Sequence, residues 1–219
     1  HARIERIDAS RAEALPGVHA VITSADMAEV SGKVVDLDEG AIHNMGFLSR
    51  NVMAREKVLY KGHAVAAVAA TSLHRAEEAL ALIEVEYEVL PAVLNAEQSM
   101  KEDAPLLHER LASLSNPLLR PGGFLDDDDP SKGSNISNHI EYRLGDVEQG
   151  FREADVIVEK ETRTVPVHQG YLEPHTATAL CHADGSLTIW CSAQGHFNVR
   201  DQTARLLGIP ISSIKAVPM

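Results

Sequence analysis

The sequence predicts an α+β protein in which two structured regions flank an acidic connector. Three observations carry that reading. Segments rich in β-branched residues, such as Val18–Thr23 and Glu84–Leu90, recur between segments whose apolar residues fall at helical spacing. Several of the helical segments open on a capping side chain and close on Gly or Pro. Between residues 101 and 138 both periodicities give way to Pro, Gly, Ser and a run of Asp.

Residues 2–7 read as a first strand, with Ile4 and Ile7 set among charged neighbours. Ser10–Leu15 predicts a short helix, Pro16-Gly17 a turn, and Val18–Thr23 a strand. Ser24 is placed to cap a brief turn running through Met27. Residues 31–50 lack periodicity and read as a loop. Val58-Leu59-Tyr60 is a short strand, and Lys61-Gly62 a turn. The small-residue run at 64–70 is expected to be a buried strand. Ser72 then caps a helix reaching about Ile83, with Leu73, Ala76, Leu80 and Ile83 on one face. Glu84–Leu90 alternates, with Val85, Tyr87 and Val89 on one side and Glu84, Glu86 and Glu88 facing water. Pro91 ends it.

The connector carries Pro117, Pro121, Gly122-Gly123 and Asp126–Asp129. The four aspartates lack the spacing of a dedicated calcium loop and read as solvated. Structure resumes near Ile136, with a strand at 139–144. Asp146 caps a helix ending at Ala154, with Gln149 at the third position. Val156–Val165 reads as a strand. Thr176–Cys181 and Leu187–Cys191 form a hairpin around Asp184-Gly185. His196–Leu207 is a helix stopped by Gly208 and Pro210 and carrying an Asp201/Arg205 pair. A further strand begins at Lys215.

The chain has 219 residues, 44% hydrophobic and 24% charged, with a formal charge of −12. That acidity argues against a nucleic-acid binder and against docking on an anionic membrane. No apolar run approaches the roughly 20 residues of a spanning helix, and no secretory leader is visible. Cys181 and Cys191 are ten apart and read as reduced thiols of a cytoplasmic protein; a disulfide would require their strands to pair with the two opposite. Dinucleotide, P-loop, zincin and α/β-hydrolase motifs are all missing.

Two stretches carry chemistry. Val167–Thr176 crowds His168, Tyr171, Glu173 and His175 between strands and suggests a buried corner. There Glu173 either serves as an acid or base, its pKa raised by desolvation, or holds the loop by accepting backbone N–H bonds. The second, Trp190–Phe197, lies where a strand meets a helix, a common ligand position. Gln194 either presents its amide to an oxo group or phosphate, or caps the helix. The histidines do not show metal-ligand spacing, and no metal ligand is assigned.

Taken in order, these residues resemble the molybdenum-binding large subunit of the xanthine dehydrogenase/aldehyde oxidase family, the molybdenum hydroxylases. The likeness rests on five stretches: His1–Thr23 with its Leu15-Pro16-Gly17-Val18; Tyr60–Ala70; Ala76–Val93; Gly145-Asp146-Val147 through Asp155; and Tyr171-Leu172-Glu173-Pro174-His175 together with Ser192-Ala193-Gln194-Gly195. It departs at His63-Ala64, where many relatives have Glu-Pro.

The resemblance implies an α/β hammerhead domain with mixed sheet over residues 1–107, an acidic linker over 108–135, and the first α+β lobe of a molybdopterin-binding domain over 136–219. It implies hydroxylation of an aldehyde or aromatic heterocycle with oxygen from water. The cofactor would be molybdenum–molybdopterin, in bacteria often the cytosine dinucleotide. The 2Fe–2S clusters and FAD would sit on partner subunits or domains. Gln194, with Gly195, would approach the molybdenum's oxo ligand. The family's glycine-rich cofactor segment and its general-base glutamate lie outside these residues, so the expectation is a fragment with no catalytic residue of its own, no bound cofactor and no activity alone. Its partners would be the rest of the molybdenum subunit, the iron–sulfur and FAD subunits and a small-molecule substrate. The alternative from another class is a binding or assembly module using the same folds without redox chemistry. A histidine-assisted hydrolase around Glu173, His168 and His175 is a third.

Overall fold

A computed structural model describes residues 1–28, 30, 34–36, 42–109, 135–136 and 144–219. The first region runs β1 (Ala2–Asp8), α1 (Ser10–Glu13), β2 (Val18–Thr23), a 3-10 turn (Ser24–Asp26), β3 (Val34–Asp36), β4 (Ile42–Asn44), α2 (Met45–Val52), β5 (Lys57–Val58), β6 (Ala66–Ala70), α3 (Leu73–Leu80), β7 (Glu84–Val89) and α4 (Ala96–Ser99). The second runs α5 (Val147–Glu153), β8 (Ala177–Cys181), β9 (Leu187–Cys191), α6 (His196–Leu207), a 3-10 turn (Ile211–Ser213) and β10 (Ile214–Pro218). The class is α+β.

In the first region β1 lies between β5 and β7, antiparallel to both. Arg3 faces Glu88 and Arg6 faces Glu86, although the arginines are three residues apart and the glutamates two. A register shift between Ile4 and Arg6 absorbs the extra residue. Without it, residues three apart would point to opposite faces. Both guanidinium groups donate at 2.9 Å to their carboxylates, and Arg11 reaches Glu84 at 3.3 Å. The three glutamates therefore face water as the alternation predicts, each beside an arginine.

Strands β2 and β6 form a second antiparallel pair, and α3 packs on β6. Ala12 of α1 and Ala79 of α3 are fully buried, so small side chains bring the two helices together. The Ser72 hydroxyl caps α3 by accepting from the Arg75 N–H. The helix ends at Leu80, and Leu82 and Ile83 close in tight turns on Ala79 and Leu80 carbonyls. Gly17 at φ +94° is required: a Cβ there would stand 2.9 Å from the Thr71 hydroxyl.

Four expectations change. The predicted loop at 31–50 contains β3, β4 and most of α2. Helix α2 escapes the apolar pattern because its buried face pairs Met45 with Ser49, whose hydroxyl is satisfied by the Gly46 carbonyl at 2.9 Å. The run at 64–70 does become a strand, but one that alternates between half-buried and exposed rather than fully buried. The turn after β2 is capped by Thr23, one residue earlier than expected. Finally, Val156–Val165 forms no strand. Val156, Val158 and Val165 are exposed, and no described strand offers their backbone a ladder. Most of the predicted strand at 139–144 and the Asp run lie outside the described residues.

In the second region Asp146 Oδ1 accepts from the Gln149 N–H at 2.8 Å and starts α5. The Gln149 amide turns to Glu153 instead of completing the reciprocal half of the capping box. The Asp184-Gly185 hairpin forms as predicted, with Gly185 at φ +82°. β9 is the centre of a mixed sheet, antiparallel to β8 and parallel to β10. A parallel pair needs a crossover, and α6 supplies it. Leu187, Ile189 and Cys191 of β9 form the core with Ala204 of α6 and Ile214 of β10. The cysteines are free: Cys181 lies opposite Leu187, and Cys191 opposite Ala177. Among the described residues no helix is long and apolar enough to cross a membrane.

Candidate cofactor site

The topology of β8, β9 and β10 gathers three segments at one edge of the sheet. In the parallel register Cys191 lies opposite Pro218, so β9 and β10 end side by side. β8 runs the other way, with Ala177 opposite Cys191, so the chain entering β8 arrives at that edge. The result is a depression of about 330 Å³. Ser192, Ala193 and Gln194 line it from the end of β9, Met219 from the end of β10, and Tyr171, Glu173, Pro174 and His175 from the segment before β8. The two stretches that carried chemistry in the sequence thus meet.

Gln194 is exposed, and its amide makes no hydrogen bond to any described residue. It does not cap the helix. The N-cap is Gly195, which has no side chain for that purpose. The N–H groups at the start of α6 consequently lack a side-chain cap, and the positive end of the helix dipole faces the same edge. His196 anchors this junction by a 3.3 Å contact between its Nε2 and the Cys191 carbonyl.

The opposite wall is aromatic. Tyr171 stacks on His175 with centroids 4.8 Å apart and 18° between planes, and His168 tilts against Tyr171 with centroids 5.0 Å apart. The His168 ring is held by its Nδ1, which accepts from the Gly170 N–H at 3.0 Å. The buried corner expected here is absent: Tyr171, Glu173 and His175 are all exposed. Glu173 accepts no hydrogen bond among the described residues, neither from loop N–H groups nor from the histidines. The three-residue spacing of His168 and Tyr171 signalled no stack in the sequence, because contact there requires the turn at Gly170, φ +71°.

At the distal end of the hairpin Asp184 Oδ1 accepts from both the Ser186 hydroxyl at 2.7 Å and the Ser186 N–H at 2.9 Å. These two bonds, the hydroxyl first, hold the Asp184 carboxyl below the usual carboxylate range. Among the described residues no group of three His, Cys, Asp or Glu side chains is placed to hold a metal ion. The depression offers the unpaired Gln194 amide beside an aromatic wall, with the Glu173 carboxylate in the same lining and the uncapped start of α6 next in the chain. This donor set fits an oxo- or phosphate-bearing group carried on an organic cofactor.

The α/β hammerhead domain of aldehyde oxidase and xanthine dehydrogenase matches residues 1–91, and the molybdopterin cofactor-binding domain matches residues 129–218. The chain belongs to the aldehyde oxidase and xanthine dehydrogenase family of molybdopterin-binding subunits. It is 33% identical to the "Probable hypoxanthine oxidase XdhD" of Escherichia coli K12, over 95% of this chain and 23% of that protein. It is 32% identical to the carbon monoxide dehydrogenase large chain of Afipia carboxidovorans, over 99% of this chain and 25% of that protein. Quinoline 2-oxidoreductase from Pseudomonas putida 86 superposes with a TM-score of 0.71 at 26% identity, covering 99% of this chain and 25% of that one. The chain spans about a quarter of the length of these relatives.

Proposed function

We propose that the intact protein containing this chain is a molybdenum-dependent hydroxylase acting on an aldehyde or aromatic heterocycle. Its 219 residues comprise a hammerhead domain (1–107), a linker (108–135) and the first part of the molybdopterin-binding domain (136–219), and do not turn over alone. When bound, the molybdenum–pterin group supplies the two-electron oxidation with oxygen drawn from water. Gln194 and Gly195 contribute the cofactor contacts. The Gln194 Nε2 donates a hydrogen bond toward negative charge, and the N–H groups opening α6 add a fixed positive potential. The helix N–H groups are fixed by the backbone before reaction and stabilise developing charge without reorganising. The stacked Tyr171 and His175 rings give one side of the depression a flat aromatic face. Partner subunits of a cytoplasmic complex carry 2Fe–2S clusters and FAD and remove the electrons.

The observation that carries this reading is the convergence of Gln194 with the Tyr171–His175 segment at one sheet edge in a chain of this family. The test is Gln194→Ala in the intact protein. Turnover falls by about 10²–10³-fold, as for loss of one preorganised donor, while molybdenum content is retained. Unchanged turnover would overturn the assignment of Gln194.

A further inference from the structure

A second cleft, of about 490 Å³, lies far from this edge in the sequence, in the first region. Arg3 of β1, Arg50 of α2, and Arg55 and Lys57 at β5 face it, together with His108. Two carboxylates, Glu56 and Glu109, also line it. Four cations against two anions is an unusual balance in a chain whose net charge is −12.

The donors are only partly used. Lys57 is satisfied: its side chain is 12% exposed, and Nζ donates to Glu109 and to the Leu106 carbonyl. Arg3 pairs through Nε with Glu88. Arg55 spends Nη2 on the carbonyls of Met27 and Ala28, both at 3.0 Å, which leaves its Nε and Nη1 hydrogens unpaired among the described residues. The Arg50 guanidinium has no hydrogen bond and no carboxylate partner among the described residues, while its own carbonyl is fixed by His63 Nε2 at 2.8 Å. The guanidinium lines the cleft with its N–H donors free to turn toward an anion. The cleft's positive potential also registers on His108, which packs on Phe47. Burial first, then the charges of Arg50 and Lys57, hold its pKa below the usual histidine value.

We propose that this cleft is an anion site for a phosphate-bearing small molecule, with Arg50 as the principal ligand and the free edge of Arg55 beside it. Planar guanidinium groups with unpaired N–H donors match phosphate oxygens in paired hydrogen bonds. A cleft this size admits a diphosphate with part of an attached nucleoside.

The test is titration of the intact protein with inorganic phosphate and diphosphate, read by calorimetry and by the rise in melting temperature that ligand binding produces. Saturable one-to-one binding of diphosphate is expected. Arg50→Gln weakens it by about tenfold or more, and Arg50→Lys recovers part of the loss. The melting temperature without ligand changes little, because only the outward guanidinium is altered. Absence of binding, or binding indifferent to Arg50→Gln, would overturn the proposal. None of these outcomes depends on the molybdenum reading.

Discussion

Cys191 and Pro218 are register partners in the parallel ladder of β9 and β10. That one pairing decides where the site is. It sets Ser192 beside Met219, and it makes α6 begin at the edge where the segment before β8 arrives. Open α/β units bind ligands outside the carboxyl ends of parallel strands for the same reason: helix N-termini and loop donors collect there.

The pairing rests on a small core, so its stability is sensitive to single side chains. Ile189 is 8% exposed at the centre of β9. Ile189→Ala removes buried methylene and methyl groups and leaves a cavity, at a cost of about 2–4 kcal/mol. Hydrogen exchange reads this directly: amide protection in β8, β9 and β10 falls together, while that of β1 and β7 is unchanged.

Gly208 ends α6 at φ +66°, and the following Ile209 N–H returns to the Ala204 carbonyl at 3.0 Å. Nothing stands within 4 Å of a Cβ built there, so the objection to a side chain is conformational rather than steric crowding. Gly208→Ala is expected to destabilise by about 1 kcal/mol. Gly208→Asn costs less, because Asn tolerates the left-handed region. Denaturant unfolding of the two variants ranks them.

The Asp184 carboxyl is stabilised in its charged form by Ser186. A carboxylate with a depressed folded pKa contributes stability that is present above its ordinary unfolded pKa and is lost as the pH falls through the folded one. The hairpin turn therefore loosens only on acidification below the usual carboxylate range. NMR titration of the Asp184 carboxyl gives a midpoint below 3.8, and Ser186→Ala moves it upward. A midpoint indifferent to Ser186→Ala would refute the cause.

Much of this architecture was legible in the residues because local chemistry and fold agree. Asp184-Gly185 specified the hairpin, Ser72 and Asp146 the helix starts, and Gly208 with Pro210 the end of α6. Gln194 and Tyr171–His175 were singled out from composition, yet their meeting depends on strand register, which no local signal encodes. The Arg3 and Arg6 pairs were hidden by the bulge at Glu5, since strict alternation places those two side chains on opposite faces. Helix α2 was hidden by a serine on its buried face. Val156–Val165 has strand composition but no partner among the described residues, and strand propensity alone forms no ladder.

The central claim is that this chain helps hold a molybdenum–pterin cofactor. Its most direct test is metal and pterin analysis of the intact protein purified from cells supplied with molybdate. The account predicts one molybdenum and one pterin per polypeptide, both retained through gel filtration. Protein that is folded yet free of molybdenum and pterin would contradict it.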